Sequence, residues 1–169
     1  EKNISSFILD SEILLSKTLN RTREDILINL DQKINTKSIL VFKEYLQRRS
    51  NNEPMAYILG EKEFWSKKFY VNKGTLIPRP ETELLVELAL ERITTGDKLL
   101  DAGTGSGAIA IAIAHTRSDV EIDASDNSAL ALEVARGNAR NHGVRVTFHE
   151  SDWFATLQSR KWHMMISNP

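Results

Sequence analysis

The 169-residue chain contains no cysteine, which excludes disulfides, thiolate nucleophiles and cysteine-ligated zinc sites, and fits a reducing compartment. It has no run of about 18 apolar residues and no export leader with a basic and then an apolar segment. The formal net charge is -1, so no overall field draws the protein to nucleic acid or to an acidic membrane surface. We therefore expect a cytoplasmic protein that neither spans a membrane nor binds nucleic acid directly.

Histidine and alanine are unevenly used. The four histidines do not have the spacing of metal ligands, so we expect no metal site; they are His115, His142, His149 and His163. Residues 1–80 contain a single alanine, whereas residues 81–169 contain twelve. This shift predicts two domains with different packing, because helices that lie on a sheet favour small side chains.

The first sixty residues carry the apolar spacing of amphipathic helices. Three such stripes are present, at residues 8–15, 26–30 and 39–46. Thr22 lies three residues before Asp25, which is the spacing of a capping box at a helix start. We therefore predict a small all-helical domain over residues 1–60.

Residues 61–77 change to an aromatic and β-branched pattern, which predicts a β-hairpin linker between two domains. We place its turn at residues 72–74, whose sequence is Asn-Lys-Gly, because asparagine and glycine favour turns. A helix is expected after the Pro-Arg-Pro run at residues 78–80. Glu81 and Glu83 would then lie in its first turn, where carboxylates suit the helix dipole.

From residue 97 onward, strand-like and helix-like segments alternate. The strands are predicted at residues 98–102, 120–125, 144–149 and 163–167, and the helices at 108–115 and 129–141. The run Ala-Ile-Ala-Ile-Ala-Ile-Ala at residues 108–114 alternates like a strand. Every position in it is apolar, however, and a glycine loop precedes it, so we predict a buried helix. This order predicts an α/β fold with a parallel, doubly wound sheet over residues 78–169.

A glycine-rich loop joins the first predicted strand of this sheet to the first helix. Glycines at such a place let the chain turn sharply and let a ligand approach the backbone. The candidate ligand-binding residues of the loop are Asp101, Gly103, Thr104, Gly105, Ser106 and Gly107. A tight turn that binds no ligand is the alternative.

Two classes of ligand fit this loop. The glycines followed by Ala108 also satisfy the G-x-G-x-x-A fingerprint of dinucleotide-binding proteins, and Asp126, about twenty residues on, would bind ribose hydroxyls in either case. Asp101 favours S-adenosylmethionine over NAD, because a carboxylate attracts the ammonium group of the former and repels the pyrophosphate of the latter.

Two further motifs follow later strands. Asp152 could accept a hydrogen bond from an adenine amino group while Trp153 supplies a stacking surface, although a polar loop with anchoring aromatics explains them equally well. Asn168-Pro169 follows the last strand, and the Asn168 side-chain oxygen, with a neighbouring backbone carbonyl, could accept hydrogen bonds from an amide nitrogen that is to be methylated. Catalysis would then consist mainly of orientation and electrostatics, without an early general base.

Together these residues resemble the HemK-type release-factor glutamine methyltransferases. The discriminating motif is the Pro-Arg-Pro-Glu-Thr-Glu run, because the glycine loop and Asn-Pro are shared with adenine and guanine amino-methyltransferases. The resemblance is carried by Asp10-Ser-Glu-Ile-Leu-Leu15, Glu53-Pro54, Tyr57-Ile-Leu-Gly60, Glu63-Phe64-Trp65, Leu76-Ile-Pro-Arg-Pro-Glu-Thr-Glu83, Leu100-Asp-Ala-Gly-Thr-Gly-Ser-Gly107, Ser151-Asp-Trp-Phe154 and Ser167-Asn-Pro169.

The resemblance implies a class I, Rossmann-like methyltransferase without a metal. It would transfer a methyl group from S-adenosylmethionine to the side-chain N5 of the glutamine in the Gly-Gly-Gln motif of class 1 peptide-chain release factors, leaving S-adenosylhomocysteine. By position, the loop from Gly103 to Gly107 would wrap the methionine part and Asp126 would hold the ribose. Asp152 and Trp153 would border the adenine. Asn168 and Pro169 would hold the substrate glutamine, Asn168 would also contact the donor, and the helical domain would bind the release factor.

The sequence departs from the family in three ways. It lacks the second Pro and the Tyr of the family's Asn-Pro-Pro-Tyr motif, and the family continues further, so we expect a C-terminally incomplete sheet whose last strand is an exposed apolar edge. The second strand has Asp123 and Ser125 where the family is usually apolar, and a buried Asp123 would need a partner. Alternatives are a nucleic-acid amino-methyltransferase, which the near-neutral charge disfavours, and a non-catalytic, donor-binding fragment.

Overall fold

Four helices form the first part of the chain in a computed structural model, which describes residues 6–168. Their bounds are α1 Phe7–Leu19, α2 Arg23–Ile28, α3 Thr36–Ser50 and α4 Met55–Leu59. The predicted capping box starts α2, since Thr22 Oγ1 accepts from Asp25 N at 3.1 Å and Thr22 N donates to Asp25 Oδ2 at 3.4 Å. The chain separates into two units after Gly60, so these helices make up the first unit.

A two-stranded antiparallel hairpin, β1 (Glu61–Phe64) and β2 (Lys67–Tyr70), begins the second unit. Our placement of its turn at residues 72–74 was wrong. The turn consists of Trp65 and Ser66, both in the left-handed region with φ of 53° and 55°, which matches the twist of a two-residue hairpin. Neither is a glycine, but the Trp65 N–H donates to Glu83 Oε1 at 2.7 Å and so holds the turn.

The hairpin packs within the second unit. Phe64 of β1 and Phe69 of β2 are both buried and meet edge to face, with 6.1 Å between their ring centroids. Residues 73 and 74 form a separate turn, in which the Gly74 N–H donates to Asn72 Oδ1 at 2.8 Å. The aromatic pattern of the segment thus predicts a hairpin correctly, but neither its turn nor the bounds of its strands.

The rest of the second unit alternates helices with strands. After a 3-10 turn at Pro80–Thr82, the elements are α5 Glu83–Arg92, β3 Lys98–Ala102, α6 Ala108–Thr116, β4 Glu121–Asp126, α7 Ala129–His142, β5 Thr147–Glu150 and β6 Met164–Ser167. The four strands are parallel and lie in the order β5-β4-β3-β6. The predicted Rossmann-like parallel sheet is confirmed, and the strand order reverses direction between β3 and β6.

Helix α6 is the centre of the core. All residues from Ala108 to Ala114 are buried, which confirms the predicted buried helix. Gly107, which precedes it, has φ of 82°, and a Cβ there would lie 2.9 Å from Ile111 Cδ1 and 3.1 Å from the Cβ of Ala135 on α7. The alanines of this half of the chain therefore permit a close approach that larger side chains would prevent.

Asp123 of β4, which we predicted to need a partner, has three. Its Oδ1 lies 3.1 Å from His149 Nε2, and its Oδ2 accepts from Trp162 Nε1 at 2.8 Å and from Arg160 Nη1 at 3.4 Å. The Asp123 side chain is only 18% exposed, so these partners compensate a carboxylate that is largely removed from water. Asp123 thus belongs to a side-chain network.

The described part of the chain contains neither a membrane-spanning helix nor a cluster of potential metal ligands. No helix within residues 6–168 is long and apolar enough to cross a membrane. Over the same residues, no group of three or more histidine, cysteine, aspartate or glutamate side chains is arranged to hold a metal ion.

Candidate functional site

The candidate site lies at the carboxyl ends of the four parallel strands. Ala102, the last residue of β3, is paired with Ser125 of β4 on one side and with Ser167 of β6 on the other. The glycine loop, Asp126 and Asn168 therefore follow neighbouring strands and lie at one edge of the sheet. The strand order reverses there, between β3 and β6, and sheets of this class bind ligands in the crevice outside such a switch point.

The glycine loop is held to β4 by backbone hydrogen bonds. The N–H groups of Gly103 and Thr104 both donate to the Ser125 carbonyl at 2.9 Å. Gly105 has φ of 55°, and a Cβ built on it would meet nothing within 4 Å. The left-handed backbone, rather than lack of space, therefore demands glycine at this position, and the space beside it is open to a ligand.

The six predicted residues of the loop fall into two sets. Gly103 is exposed and Gly105 is half-buried, so a ligand can reach their backbone. The other four are buried and support the loop from below; they are Asp101, Thr104, Ser106 and Gly107. Sequence reasoning treated all six alike, because adjacent positions in a loop give no signal of which side faces the protein.

Asp101 is fully buried beneath the loop. Its Oδ2 accepts from Thr104 Oγ1 at 2.6 Å and from Ala110 N at 3.2 Å, whereas its Oδ1 has no hydrogen-bond partner among residues 6–168. Burial raises the pKa of the Asp101 carboxyl to about 6; the two hydrogen bonds oppose this rise, and the charge of Asp126 adds to it. A buried carboxylate with one unpaired oxygen is compensated by a nearby cation, so the site suits a cationic ligand above the loop.

Asp126 links the loop to the next helix. Its Oδ2 accepts from Gly105 N at 2.8 Å and its Oδ1 from Ser128 N at 2.9 Å. Ser128 in turn caps α7, since its Oγ accepts from Ala131 N at 3.2 Å. The half-buried carboxylate is thus fixed at the rim of the site, and each oxygen keeps a further lone pair for a hydroxyl donor.

The loop after β5 is anchored at its base and exposed at its tip. The Ser151 N–H donates to the Asp126 carbonyl at 3.0 Å, and Leu157 is buried against Leu100 and Ala102. Asp152 and Trp153 are exposed, and Trp153 has φ of 48° with 54% of its surface accessible. The adenine contacts expected of these two side chains stay a prediction.

Asn168 lies directly after β6, and its side chain is held by an interaction that sequence reasoning missed. Its Nδ2 donates to Thr82 Oγ1 at 2.6 Å, while the neighbouring Ser167 hydroxyl donates to the Ala102 carbonyl at 2.8 Å. The bond engages the donor end of the Asn168 carboxamide and leaves Oδ1 as the acceptor end. Pro169, the other predicted substrate-binding residue, lies outside the described residues.

Asn138 of α7 is a second residue that sequence reasoning did not assign to the site. It is 1% exposed, its Nδ2 donates to the carbonyls of Ser106 and Tyr70 at 2.8 and 2.9 Å, and its Oδ1 accepts from the Tyr70 N–H at 2.9 Å. It therefore joins the glycine loop to the hairpin. The available signal was an amide in the middle of an otherwise small and apolar helix face, between Ala135 and Ala139.

A comparison with protein families decides the identity of this arrangement. The model of the methyltransferase small domain matches residues 80–169, more than half of the chain. The chain belongs to the methyltransferase small domain family. The model of the PrmC N-terminal domain matches residues 1–60.

Two curated relatives of this methyltransferase-family chain share a name. A release factor glutamine methyltransferase of Coxiella burnetii is 43% identical over 164 residues, which are 95% of this chain and 59% of the relative. Another, of Nitratidesulfovibrio vulgaris, is 44% identical over 165 residues, 95% of this chain and 56% of the relative. The chain thus spans somewhat over half of these relatives' length. The predicted resemblance to this group is confirmed.

Solved structures agree on the fold. The Pyrococcus abyssi tRNA (uracil-54, C5)-methyltransferase, in complex with S-adenosyl-L-homocysteine, superposes with a TM-score of 0.53 and 17% identity. The match covers 64% of this chain and 28% of that protein. At this identity the likeness concerns the fold alone, and it agrees with the parallel sheet described above.

Proposed function

We propose that the protein transfers a methyl group from S-adenosylmethionine to the side-chain amide nitrogen of a glutamine. The acceptor would be the glutamine in the Gly-Gly-Gln motif of class 1 peptide-chain release factors, in the cytoplasm. The observation that carries the proposal is the placement of Asn168 beside the glycine loop at the switch point, with its donor end engaged by Thr82. The names of the curated relatives support the choice of acceptor.

The residues around the loop fit the methyl donor. Asp101 would compensate its positive charge, Asp126 would accept from ribose hydroxyls, and Gly103 and Gly105 would let it approach the backbone. Asp152 and Trp153 would border the adenine from the loop after β5. When bound, S-adenosylmethionine supplies an electrophilic methyl group on a sulfonium. NAD fits less well, because its pyrophosphate would lie above the buried Asp101 carboxylate.

Asn168 would supply the orientation that an amide nucleophile needs. The lone pair of an amide nitrogen is delocalised into its carbonyl, so the nitrogen reacts only when it is held in place. The Asn168 Oδ1 would accept from one substrate N–H, and a neighbouring backbone carbonyl together with Pro169 would complete the clamp. The proton can leave after the methyl group arrives, so the chain need not provide a strong base. Positioning of this kind can contribute about 7–11 kcal/mol to lowering a barrier.

The first unit would bind the release factor. Its match to the PrmC N-terminal domain supports this assignment. Its described residues also include exposed large apolar side chains, among them Phe7, Ile8, Ile28, Leu30 and Leu40. Exposed side chains of this type mark protein interaction surfaces when they are grouped.

Labelled methyl donor tests the proposal. The chain is incubated with the donor and a class 1 release factor, with a release factor whose Gly-Gly-Gln glutamine is replaced, and with bulk tRNA and rRNA. We expect label on the intact release factor alone, and no label when Asn168→Ala replaces the wild-type chain. Label on nucleic acid would favour the amino-methyltransferase alternative.

Calorimetric titration with S-adenosylhomocysteine accompanies the transfer assay. We expect both the wild-type chain and Asn168→Ala to bind it, because the variant leaves the glycine loop and Asp126 in place. Binding without transfer to any acceptor would support a non-catalytic donor-binding function instead.

A further inference from the structure

Thr82 and Asn168 lie 86 positions apart in the sequence and are joined by a 2.6 Å hydrogen bond. Thr82 is 8% exposed and ends the 3-10 turn at Pro80–Thr82, where its own N–H donates to the Arg79 carbonyl at 3.0 Å. The next residue, Glu83, accepts from the Trp65 N–H at 2.7 Å. The Thr82 backbone is therefore held by the turn, and the side chain of the next residue is anchored to the hairpin.

The two ends of a carboxamide have opposite hydrogen-bonding character. The NH2 end donates and the oxygen accepts, and rotation by half a turn about the last side-chain bond exchanges them. A glutamine to be methylated presents N–H donors, so only the oxygen of Asn168 can hold it. In this structure Nδ2 donates to Thr82, so Oδ1 stays available to the substrate. A threonine hydroxyl can also donate, so the contact holds the carboxamide in one place; without it, the side chain would be free to leave this position.

We propose that Thr82 is a positioning residue that holds the Asn168 carboxamide in place for the substrate amide. Thr82 itself touches no reacting atom and acts only through Asn168. This inference rests on the proposed function, and it also gives the Pro-Arg-Pro-Glu-Thr-Glu run a physical role. The threonine of that run holds Asn168 in place, while the following glutamate holds the hairpin turn.

The test compares Thr82→Val, which removes the hydroxyl at nearly constant shape, with Thr82→Ser, which keeps it. Thr116→Val is the matched control, because Thr116 bonds only to the Ala112 carbonyl of its own helix at 3.1 Å among its described contacts. The side-chain amide signals of Asn168 are followed by NMR in isotope-labelled chain. We expect the Asn168 Nδ2 proton that bonds to Thr82 to exchange slowly with water in wild type, Thr82→Ser and Thr116→Val, and faster in Thr82→Val.

Rates supply the second readout. In the methyl-transfer assay, Thr82→Val should lower kcat by about 10- to 100-fold, the loss expected from a misplaced reactant. Thr82→Ser should restore most of the rate, and the Kd for S-adenosylhomocysteine should be unchanged in both. An unchanged Asn168 signal in Thr82→Val, or a wild-type kcat in that variant, would overturn the inference.

Failure of the proposed function would look different. If the wild-type chain binds S-adenosylhomocysteine but labels no release factor, the assignment of the acceptor fails. The Asn168 signals then decide the positioning inference alone, since they require neither donor nor acceptor.

Discussion

The two units of this chain use apolar residues in contrasting ways. In the helical unit, three described hydrophobic residues are buried, namely Leu14, Ile26 and Ile58, and α3 has no buried residue at all. In the sheet unit the core extends through the hairpin, three helices and the strands, with α6 buried along most of its length. An amphipathic pattern therefore predicts a helix in both units but does not reveal how much of its apolar face becomes covered.

Polar residues show the same contrast. In the helical unit, an ion pair joins α1 and α3, between Asp10 and Arg49 at 2.7 Å. In the sheet unit, buried polar groups hold loops in place, as Asp101 and Asn138 do for the glycine loop. A rigid core that carries precisely held loops suits a catalytic site, whereas a thin helical layer with exposed apolar side chains suits a binding surface.

The largest effect should come from truncating matched leucines in the two cores. Leu99 in β3 and Leu14 in α1 are both fully buried. We expect Leu99→Ala to cost about 3–5 kcal/mol and to lower hydrogen-exchange protection throughout the sheet unit. Leu14→Ala should lower protection in α1–α4 and leave the sheet strands protected. Loss of protection in both units from either variant would contradict the view that the two units have separate cores.

Asn138→Ala tests whether buried polar groups matter to the sheet unit. The variant would leave three backbone groups, two on Tyr70 and one on Ser106, without their partner. We expect a loss of about 3 kcal/mol in the free energy of unfolding, measured by denaturant titration. Asn141→Ala, one turn on and exposed, is the control and should change stability by less than about 0.5 kcal/mol. If Asn138→Ala and Asn141→Ala lowered the free energy of unfolding equally, the buried Asn138 side chain would not stabilise the sheet unit.

Asp101→Asn tests the buried carboxyl through pH. In the unfolded chain this carboxyl loses its proton near pH 4, whereas in the folded chain it keeps the proton up to about pH 6. The folded state is therefore favoured below pH 4, and this advantage is lost as the pH rises through 6, by roughly 3 kcal/mol. The free energies of unfolding of Asp101→Asn and of wild type are measured from pH 3 to 8. The value for the variant, relative to that of wild type, should increase as the pH rises over that window.

The stability of the variant must be compared with that of wild type at each pH, because other carboxyl groups change the stability with pH in the opposite direction. Hydrogen bonds lower the pKa of Asp97 and that of Asp119, so their contributions to stability are lost as the pH falls. Asp101→Asn leaves both groups in place. A difference that does not vary with pH would mean that Asp101 titrates alike in the folded and unfolded chain.

The smallest effect should come from Trp162→Phe, which removes one donor to Asp123 but keeps an aromatic ring. The remaining partners, His149 and Arg160, still contact the carboxylate. We expect a loss of about 1 kcal/mol in stability, with Trp162→Leu costing more because the ring also packs on the buried Leu157 cluster. A neutral Trp162→Phe would show that the two remaining partners suffice.

The predictable features of this protein are those set by nearby residues. The order of strands and helices, the capping box of α2 and the buried α6 each depend on a short segment and its neighbours, and they were predicted correctly. The hairpin turn was not, because Trp65 and Ser66 adopt left-handed backbone under the hold of Glu83, which lies 18 positions away. Local turn preference favoured the Asn-Lys-Gly run instead.

The candidate site, too, has features set by local sequence, which could be predicted, and features set by distant residues, which could not. The loop, Asp126 and Asn168 could be assigned because strand ends in a parallel sheet converge. The contacts that orient them could not, because Thr82 and Asn168 are 86 positions apart and Asn138 reaches Tyr70 across 68. The partners of Asp123 could not be predicted either, since they lie on the next strand and on a later loop.

The buried carboxyl under the glycine loop couples ligand binding to protons. Near pH 6 about half of the free molecules carry a proton on Asp101, and a cation bound above the loop would favour the ionised form. Uptake of a cationic ligand would then expel a fraction of a proton into the solution. The heat measured on mixing would therefore change with the ionisation enthalpy of the buffer, so that two buffers at the same pH would report different binding enthalpies for one and the same event.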